Sequence, residues 1–238
     1  MTNNPDQENV ILLLTRPLGG NERFCLKIKH LLYSCEILDN PIQKIDFLPS
    51  LSKVNKNSVL IFTSANGLRA AKKHNLINKK CFVVGANTKK IAVSFGYDVL
   101  GFSKDQENLL KLIKSKKPTE SMVHIRGKHT VGNLCDALKR NQFSCLDIIG
   151  YNQEPLKIKK QNLQKIHSGR PIILPIFSSR SAELLQSNLD LTGFNVIAIS
   201  EAVAKIVTGV ELGELVISKK PDLNSMQEAT LAILRRLI

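Results

Sequence analysis

Residues 59–71 read VLIFTSANGLRAA, an apolar run that breaks into Thr63-Ser64-Ala65-Asn66-Gly67 before a helical pattern begins. Four consecutive apolar residues bounded by small polar ones fit a buried strand. Ser and Asn cap helices, and free N–H groups at a helix start also seat anions. The junction is therefore strand to helix, and its small polar residues are either punctuation or a binding site.

The same junction recurs. IFTSANG (61–67) lies over IFSSRSA (176–182) at a spacing of 115 residues. At that spacing FVVGANTKKIAV (82–93) falls on VIAISEAVAKIV (196–207), with a stagger of one residue, and Phe102-Ser103-Lys104 falls on Ile217-Ser218-Lys219. A second spacing of 110 lays Arg16 of ILLLTRP on Arg126 of MVHIRGK, Cys25 on Cys135 and Cys35 on Cys145. The chain thus reads A, B, A′, B′, a permuted internal repeat.

Strand-like runs ILLLT, SVLIFTS, CFVVGA, DVLGF, MVHIR, LDIIGY, IILPIF, VIAIS and ELVIS alternate with helical stretches at 23–33, 67–74, 86–95, 107–114, 131–141, 182–188, 202–207 and 225–237. Alternation of this kind predicts an α/β protein with parallel sheets flanked by helices. Two extended stretches, 39–54 and 150–160, carry prolines and no helix signal. Two crossings predict two similar lobes, one discontinuous: 1–40 with 155–238, and 41–154.

A chain of 238 residues can bury two modest cores. No apolar run approaches the roughly 20 residues that span a membrane, and the first ten residues carry no basic group, which points to a mobile tail on a cytoplasmic protein. Five dispersed cysteines without CxxC argue for reduced thiols rather than a disulfide framework. The five histidines show no metal-ligand spacing, although His124 and His129 flank Arg126.

The net charge of +14 favours an anionic partner. Nucleic acid would bring stacking aromatics or a recognisable motif, and with no Trp and 5% aromatics there is neither.

In parallel sheets, ligands sit beyond the carboxyl ends of the strands. Those ends hold Thr15-Arg16, Thr63-Ser64-Ala65-Asn66, Gly85-Ala86-Asn87-Thr88, Arg126-Gly127, Ser178-Ser179-Arg180-Ser181 and Ser200-Glu201. The set offers hydroxyls, amides and guanidinium groups, with no carboxylate pair, no GxSxG and no phosphate-binding glycine motif. It suits a ligand with many negative groups, gripped by two matching mouths. Tyr151 ends LDIIG, where its O–H can reach the same region.

Together LLLTRP, VLIFTSANGLRAA, VVGANTKKIAVSFGYDV, HIRG, IIGYNQEP, FSSRSAELL and VIAISEAVA, in that order, resemble the uroporphyrinogen-III synthase family from about residue 11 to the end. The resemblance implies two α/β lobes joined by a two-stranded antiparallel connection, and a monomer. It implies a hydro-lyase that cyclises hydroxymethylbilane, a linear tetrapyrrole with eight carboxylates, to uroporphyrinogen III, losing water and inverting ring D, with no cofactor and no metal. Tyr151 matches the family's cleft tyrosine, expected to assist departure of the hydroxyl. Thr15, Arg16, Ser64, Ala65, Asn66, Arg126, Gly127, Ser178, Ser179, Ser181 and Ser200 are expected to bind substrate. Ile199-Ser200-Glu201-Ala202-Val203 departs from a Gly-Pro-Thr-Thr-like turn common in the family. A transient contact with hydroxymethylbilane synthase is a further expectation, and a non-catalytic binder of an anionic tetrapyrrole is the alternative function.

Overall fold

A computed structural model describes residues 10–17, 19–26, 28, 35–51, 54–130 and 132–238. The mobile tail expected at the N-terminus, most of the second half of the helix expected at 23–33, and Val131 lie outside them. The chain divides into two compact units. Unit 1 comprises Met1–Lys44 with Pro155–Ile238, and unit 2 comprises Ile45–Glu154.

Unit 1 carries a five-stranded sheet. In chain order its elements are β1 (Val10–Leu14), α1 (Gly20–Leu26), β2 (Cys35–Asp39) and, after the second crossing, α6 (Lys160–Ile166), β9 (Ile172–Ile176), α7 (Ser179–Asn188), β10 (Asn195–Ala198), α8 (Glu201–Val207), β11 (Glu214–Ile217) and α9 (Leu223–Leu237). The strand order is β11-β10-β9-β1-β2, all parallel. Successive side chains of a strand point to opposite faces. Ile11 and Leu13 accordingly join one core, with Leu174 and Val196, while Val10, Leu12 and Leu14 join the other, with Phe24 and Met226. Both faces are covered, which is why β1 reads as an unbroken apolar run rather than an alternation.

Unit 2 is built the same way from β4 (Val59–Phe62), α2 (Ala65–Lys73), β5 (Lys80–Val84), α3 (Ala86–Ser94), β6 (Asp98–Ser103), α4 (Gln106–Lys116), β7 (Met122–Gly127), α5 (Leu134–Arg140) and β8 (Cys145–Pro155). Its sheet order is β3-β8-β7-β4-β5-β6, where β3 is Gln43–Phe47. Strands β6-β5-β4-β7-β8 match β11-β10-β9-β1-β2 place for place, which is the permuted repeat realised in space. The extra strand, β3, runs antiparallel to β8: Leu48 N–H donates to Gly150 O at 3.0 Å, and Leu156 N–H donates to Ile42 O at 2.8 Å. These two strands carry the chain across the unit boundary in both directions.

Four helix starts share one device. Ser64, Asp105, Ser178 and Asp222 each accept a hydrogen bond from the N–H three residues on, opening α2, α4, α7 and α9. Such a bond satisfies one of the donors that a helix start leaves unpaired. The capping serines Ser64 and Ser178 stand 114 residues apart, so the repeat slips by one residue here from the spacing of 115 that aligns the flanking text.

Two elements escape the sequence reading. Strand β2 (CEILD), at the sheet edge, buries only Cys35 and Leu38, and α6 (KQNLQKI) is mostly polar. The expectation that all cysteines are thiols is corrected. Cys135 in the first turn of α5 and Cys145 at the head of β8 come within 5.3 Å (Cα to Cα) and form a disulfide. Their repeat partners Cys25 and Cys35, and also Cys81, are thiols.

Candidate functional site

In unit 1 the carboxyl ends of the neighbouring strands β1, β9 and β10 bring together Arg16, Ser178, Ser179 and Ser200. Arg16 is fixed from three sides. Its N–H donates to Asn21 Oδ1 at 3.0 Å, its Nη1 donates to Gly20 O at 3.2 Å, and its guanidinium lies 4.1 Å from the centre of the Phe177 ring. Cation–π stacking of this kind holds the plane of the guanidinium.

Ser178 Oγ takes the Ser181 N–H at 3.1 Å and lies 2.8 Å from Ser181 Oγ, which in turn accepts from Gln43 Nε2 at 3.3 Å. Ser181 is buried, and so is Thr15. Ser179 and Ser200 are half-buried, and Ser200 starts α8 without a side-chain cap bond.

In unit 2 the ends of β7 and β4 bring Arg126, Gly127, Ser64, Ala65 and Asn66 to one edge, and β8 adds Tyr151 in register with Gly127. Tyr151 Oη lies 2.8 Å from Ser64 Oγ, the atom that also caps α2 through Gly67 N–H at 3.3 Å. The tyrosine is buried, and burial raises its pKa above the ordinary 10.0, against smaller downward pulls from its hydrogen bonds to Ser64 and the Gly127 backbone. The phenol therefore keeps its proton at neutral pH and can donate it. Gly127 leaves room for the ring: a Cβ there would stand 2.8 Å from Tyr151 Cε2.

Asn66 Oδ1 accepts from Arg69 Nη1 at 2.9 Å, and its amide N–H₂ is the donor side. Arg126 is an ion pair with Asp147, Nε to Oδ1 3.3 Å, and its Nη1 donates to Gly127 O at 3.1 Å.

Sequence reasoning missed the row behind Arg126. Thr63 Oγ1 lies 3.0 Å from His124 Nε2, and His124 Nδ1 lies 2.8 Å from Asp147 Oδ1. The signal was available: His124 and Asp147 are register partners on β7 and β8, two residues after Met122 and Cys145 on the same face.

The profile of the family described as uroporphyrinogen-III synthase HemD matches residues 34–228. No curated protein matches the chain. Among solved structures, uroporphyrinogen-III synthetase from Helicobacter pylori is similar with a TM-score of 0.65 and 14% identity, covering 95% of this chain and 99% of that one. A mutant uroporphyrinogen III synthase from Thermus thermophilus is similar with a TM-score of 0.61, 14% identity and the same coverage.

Proposed function

The chain belongs to the uroporphyrinogen-III synthase family, and from that premise we propose which of its residues carry the family's reaction. The enzyme is a lyase of porphyrin and heme biosynthesis that closes hydroxymethylbilane to uroporphyrinogen III, with loss of water and inversion of ring D.

The observation that carries the assignment is the pair Tyr151–Ser64, where Ser64 follows β4 and Tyr151 lies within β8 opposite the end of β7, with a phenol that burial keeps protonated. Electrons from a pyrrole nitrogen expel the terminal hydroxyl, and Tyr151 assists by donating a proton to it as it leaves. The azafulvene left behind is electrophilic, so the remaining task is to hold ring D where attack gives the inverted isomer. Orientation of this sort supplies several powers of ten in rate without a cofactor.

Carboxylates of the substrate are held by Ser64, Ala65 and Asn66 at the start of α2, and by Ser178 and Ser179 at the start of α7. There, unpaired N–H groups and the positive end of each helix favour anions. Arg16, Arg126 with Gly127, and Ser200 add donors at the same edges, while Thr15 and Ser181 position them from below. The enzyme acts as a cytoplasmic monomer, needs no cofactor, and receives its unstable substrate from hydroxymethylbilane synthase through a transient contact.

The test is an isomer ratio. Freshly prepared hydroxymethylbilane is given to the protein, the products are oxidised, and uroporphyrins I and III are separated. A large excess of isomer III over the protein-free control is expected. Isomer I alone, from correctly folded protein, would overturn the assignment and leave a tetrapyrrole binder.

A further inference from the structure

The two repeats hold the same cysteine pair in different company. In unit 1, Cys25 and Cys35 lie among Leu14, Phe24 and Phe177 in an apolar core. The spacing of 110 that lays Cys25 on Cys135 and Cys35 on Cys145 also lays Leu14 on His124 and Ile37 on Asp147. The spacing of 114 set by the capping serines lays Phe177 on Thr63. At these three places around the cysteines, unit 2 has an imidazole, a carboxylate and a hydroxyl where unit 1 has only hydrocarbon. The imidazole and carboxylate are held in place beside the sulfur by each other, by Thr63 and by Arg126.

One ligand atom each from His124, Cys135 and Asp147 lies within 4.8 Å of the others, and Cys145 Sγ is bonded to Cys135 Sγ. Three donors of three kinds thus converge, and the Cys145 sulfur, a fourth, is bonded to one of them. We propose that Cys135, Cys145, His124 and Asp147 form a redox-gated zinc site, a disulfide when oxidised and a tetrahedral site for one Zn²⁺ when reduced. Thiolate and imidazole donors select a borderline-soft ion such as zinc over magnesium or calcium. The spacings suit it. His124 Nδ1 and Asp147 Oδ1 stand 2.8 Å apart. Zinc bonds of about 2.0–2.1 Å set such neighbours somewhat over 3 Å apart, so a small outward shift admits the ion.

The surroundings complete the site. With Nδ1 on the metal, His124 Nε2–H donates to Thr63 Oγ1, which lies 3.0 Å away and fixes the tautomer. Two thiolates and a carboxylate exceed the ion by one negative charge, and Arg126 beside Asp147 neutralises it. The Asp147 side chain is 32% exposed, which gives the ion an entry path.

A small dithiol reduces the Cys135–Cys145 bond, yielding two Cys thiols and the cyclic disulfide of the reductant. Zinc then displaces the two thiol protons as it binds, with His124 neutral and Asp147 ionised.

The test uses the full chain, reduced anaerobically with a dithiol, washed with chelator, and titrated with Co²⁺ and then Zn²⁺. Reduced protein should show thiolate-to-cobalt charge transfer and intense tetrahedral bands that saturate at one equivalent, and zinc should bleach them. Oxidised protein should bind at least about 100-fold more weakly. Cys145→Ser should remove most of the charge-transfer band, and Thr63→Val should weaken binding about 10-fold.

Asp147→Asn serves if the cysteine variant misfolds by circular dichroism, and should shift the ligand-field bands. The proposal is overturned if reduced protein gives no saturable band. It is overturned equally if the band survives replacement of both Cys135 and Cys145, or is lost only on replacing Cys25 and Cys35.

Discussion

Tyr151 and Ser64, 87 residues apart in the chain, meet through a single hydrogen bond of 2.8 Å between their hydroxyl oxygens. Ser64 Oγ already accepts the Gly67 N–H as a helix cap, so its own proton can go to Tyr151. That leaves the phenolic proton available for a leaving group. Tyr151→Phe is expected to lower turnover about 10²-fold, the ordinary size of a general-acid contribution, with little change in melting temperature. Steady-state turnover beside a thermal melt checks both, and full activity in the variant would remove Tyr151 from the mechanism.

The pH dependence follows from the same residue. Burial raises the Tyr151 pKa above 10.0, so the phenol stays protonated, and its share of stability stays intact, until the pH passes 10. Both are lost as pH climbs through the raised value. The profile of kcat/KM should therefore show no alkaline fall below pH 10 that Tyr151→Phe abolishes.

Ser178 and Ser200 occupy the same place at two helix starts, yet only Ser178 makes a cap bond. Ser178→Ala should cost about 1 kcal/mol of stability, and Ser200→Ala should stay within about 0.5 kcal/mol. Both should raise KM if the two serines bind substrate. Denaturant titrations with substrate-saturation curves separate the two effects, and a Ser200→Ala variant with unchanged KM would exclude that serine from binding.

Gly67 and Gly127 are needed for space. A Cβ on Gly67 would stand 2.5 Å from the Ile125 carbonyl oxygen, which belongs to the central strand β7 and cannot give way cheaply. Gly67→Ala should destabilise by about 1–3 kcal/mol. Gly127→Ala meets the Tyr151 ring instead, at 2.8 and 2.9 Å, and should lower turnover more than stability. Equal losses in both measurements for Gly127→Ala would contradict that division.

Glu36 on β2 accepts from Lys165 of α6 and, at 2.7 Å, from Arg170 Nη2. The Lys165 hydrogen bond leads in holding its pKa below 4.5, burial opposes it, and Arg170 adds to it. A lowered carboxylate pKa means stability present above pH 4.5 and lost as pH falls through the folded value. Glu36→Gln should cost about 1–2 kcal/mol at pH 7 and almost nothing near pH 2. Urea unfolding at both pH values is the check.

The parallel core strands were legible because burial on both faces writes them as runs of Val, Ile and Leu, and the permuted repeat gave their grouping. Edge strand β2 was not, since Glu36 and Asp39 interrupt CEILD with groups that face solvent or ion partners. Capping serines were legible as helix starts. Whether a hydroxyl at such a start points outward was not: Ser181 is turned inward by Ser178 and Gln43, a partner 138 residues away.

The Cys135–Cys145 disulfide was hidden for a related reason. The same ten-residue spacing occurs at Cys25 and Cys35, which remain thiols. Cys25 lies in the last turn of α1 and Cys135 in the first turn of α5, so equal spacing along the chain does not place the two pairs alike.

Strand β1 lies between β2 and β9, with Ile11 opposite Ile172. Every residue of unit 2 is synthesised between those two partners. As the chain leaves the ribosome, unit 2 can close on a contiguous segment, while β1 must wait with one edge unpaired until β9 emerges. The order of assembly is thus imposed by where the second unit is inserted. Among the described strands, β1 thus waits longest for its second partner and is the one exposed longest to mispairing.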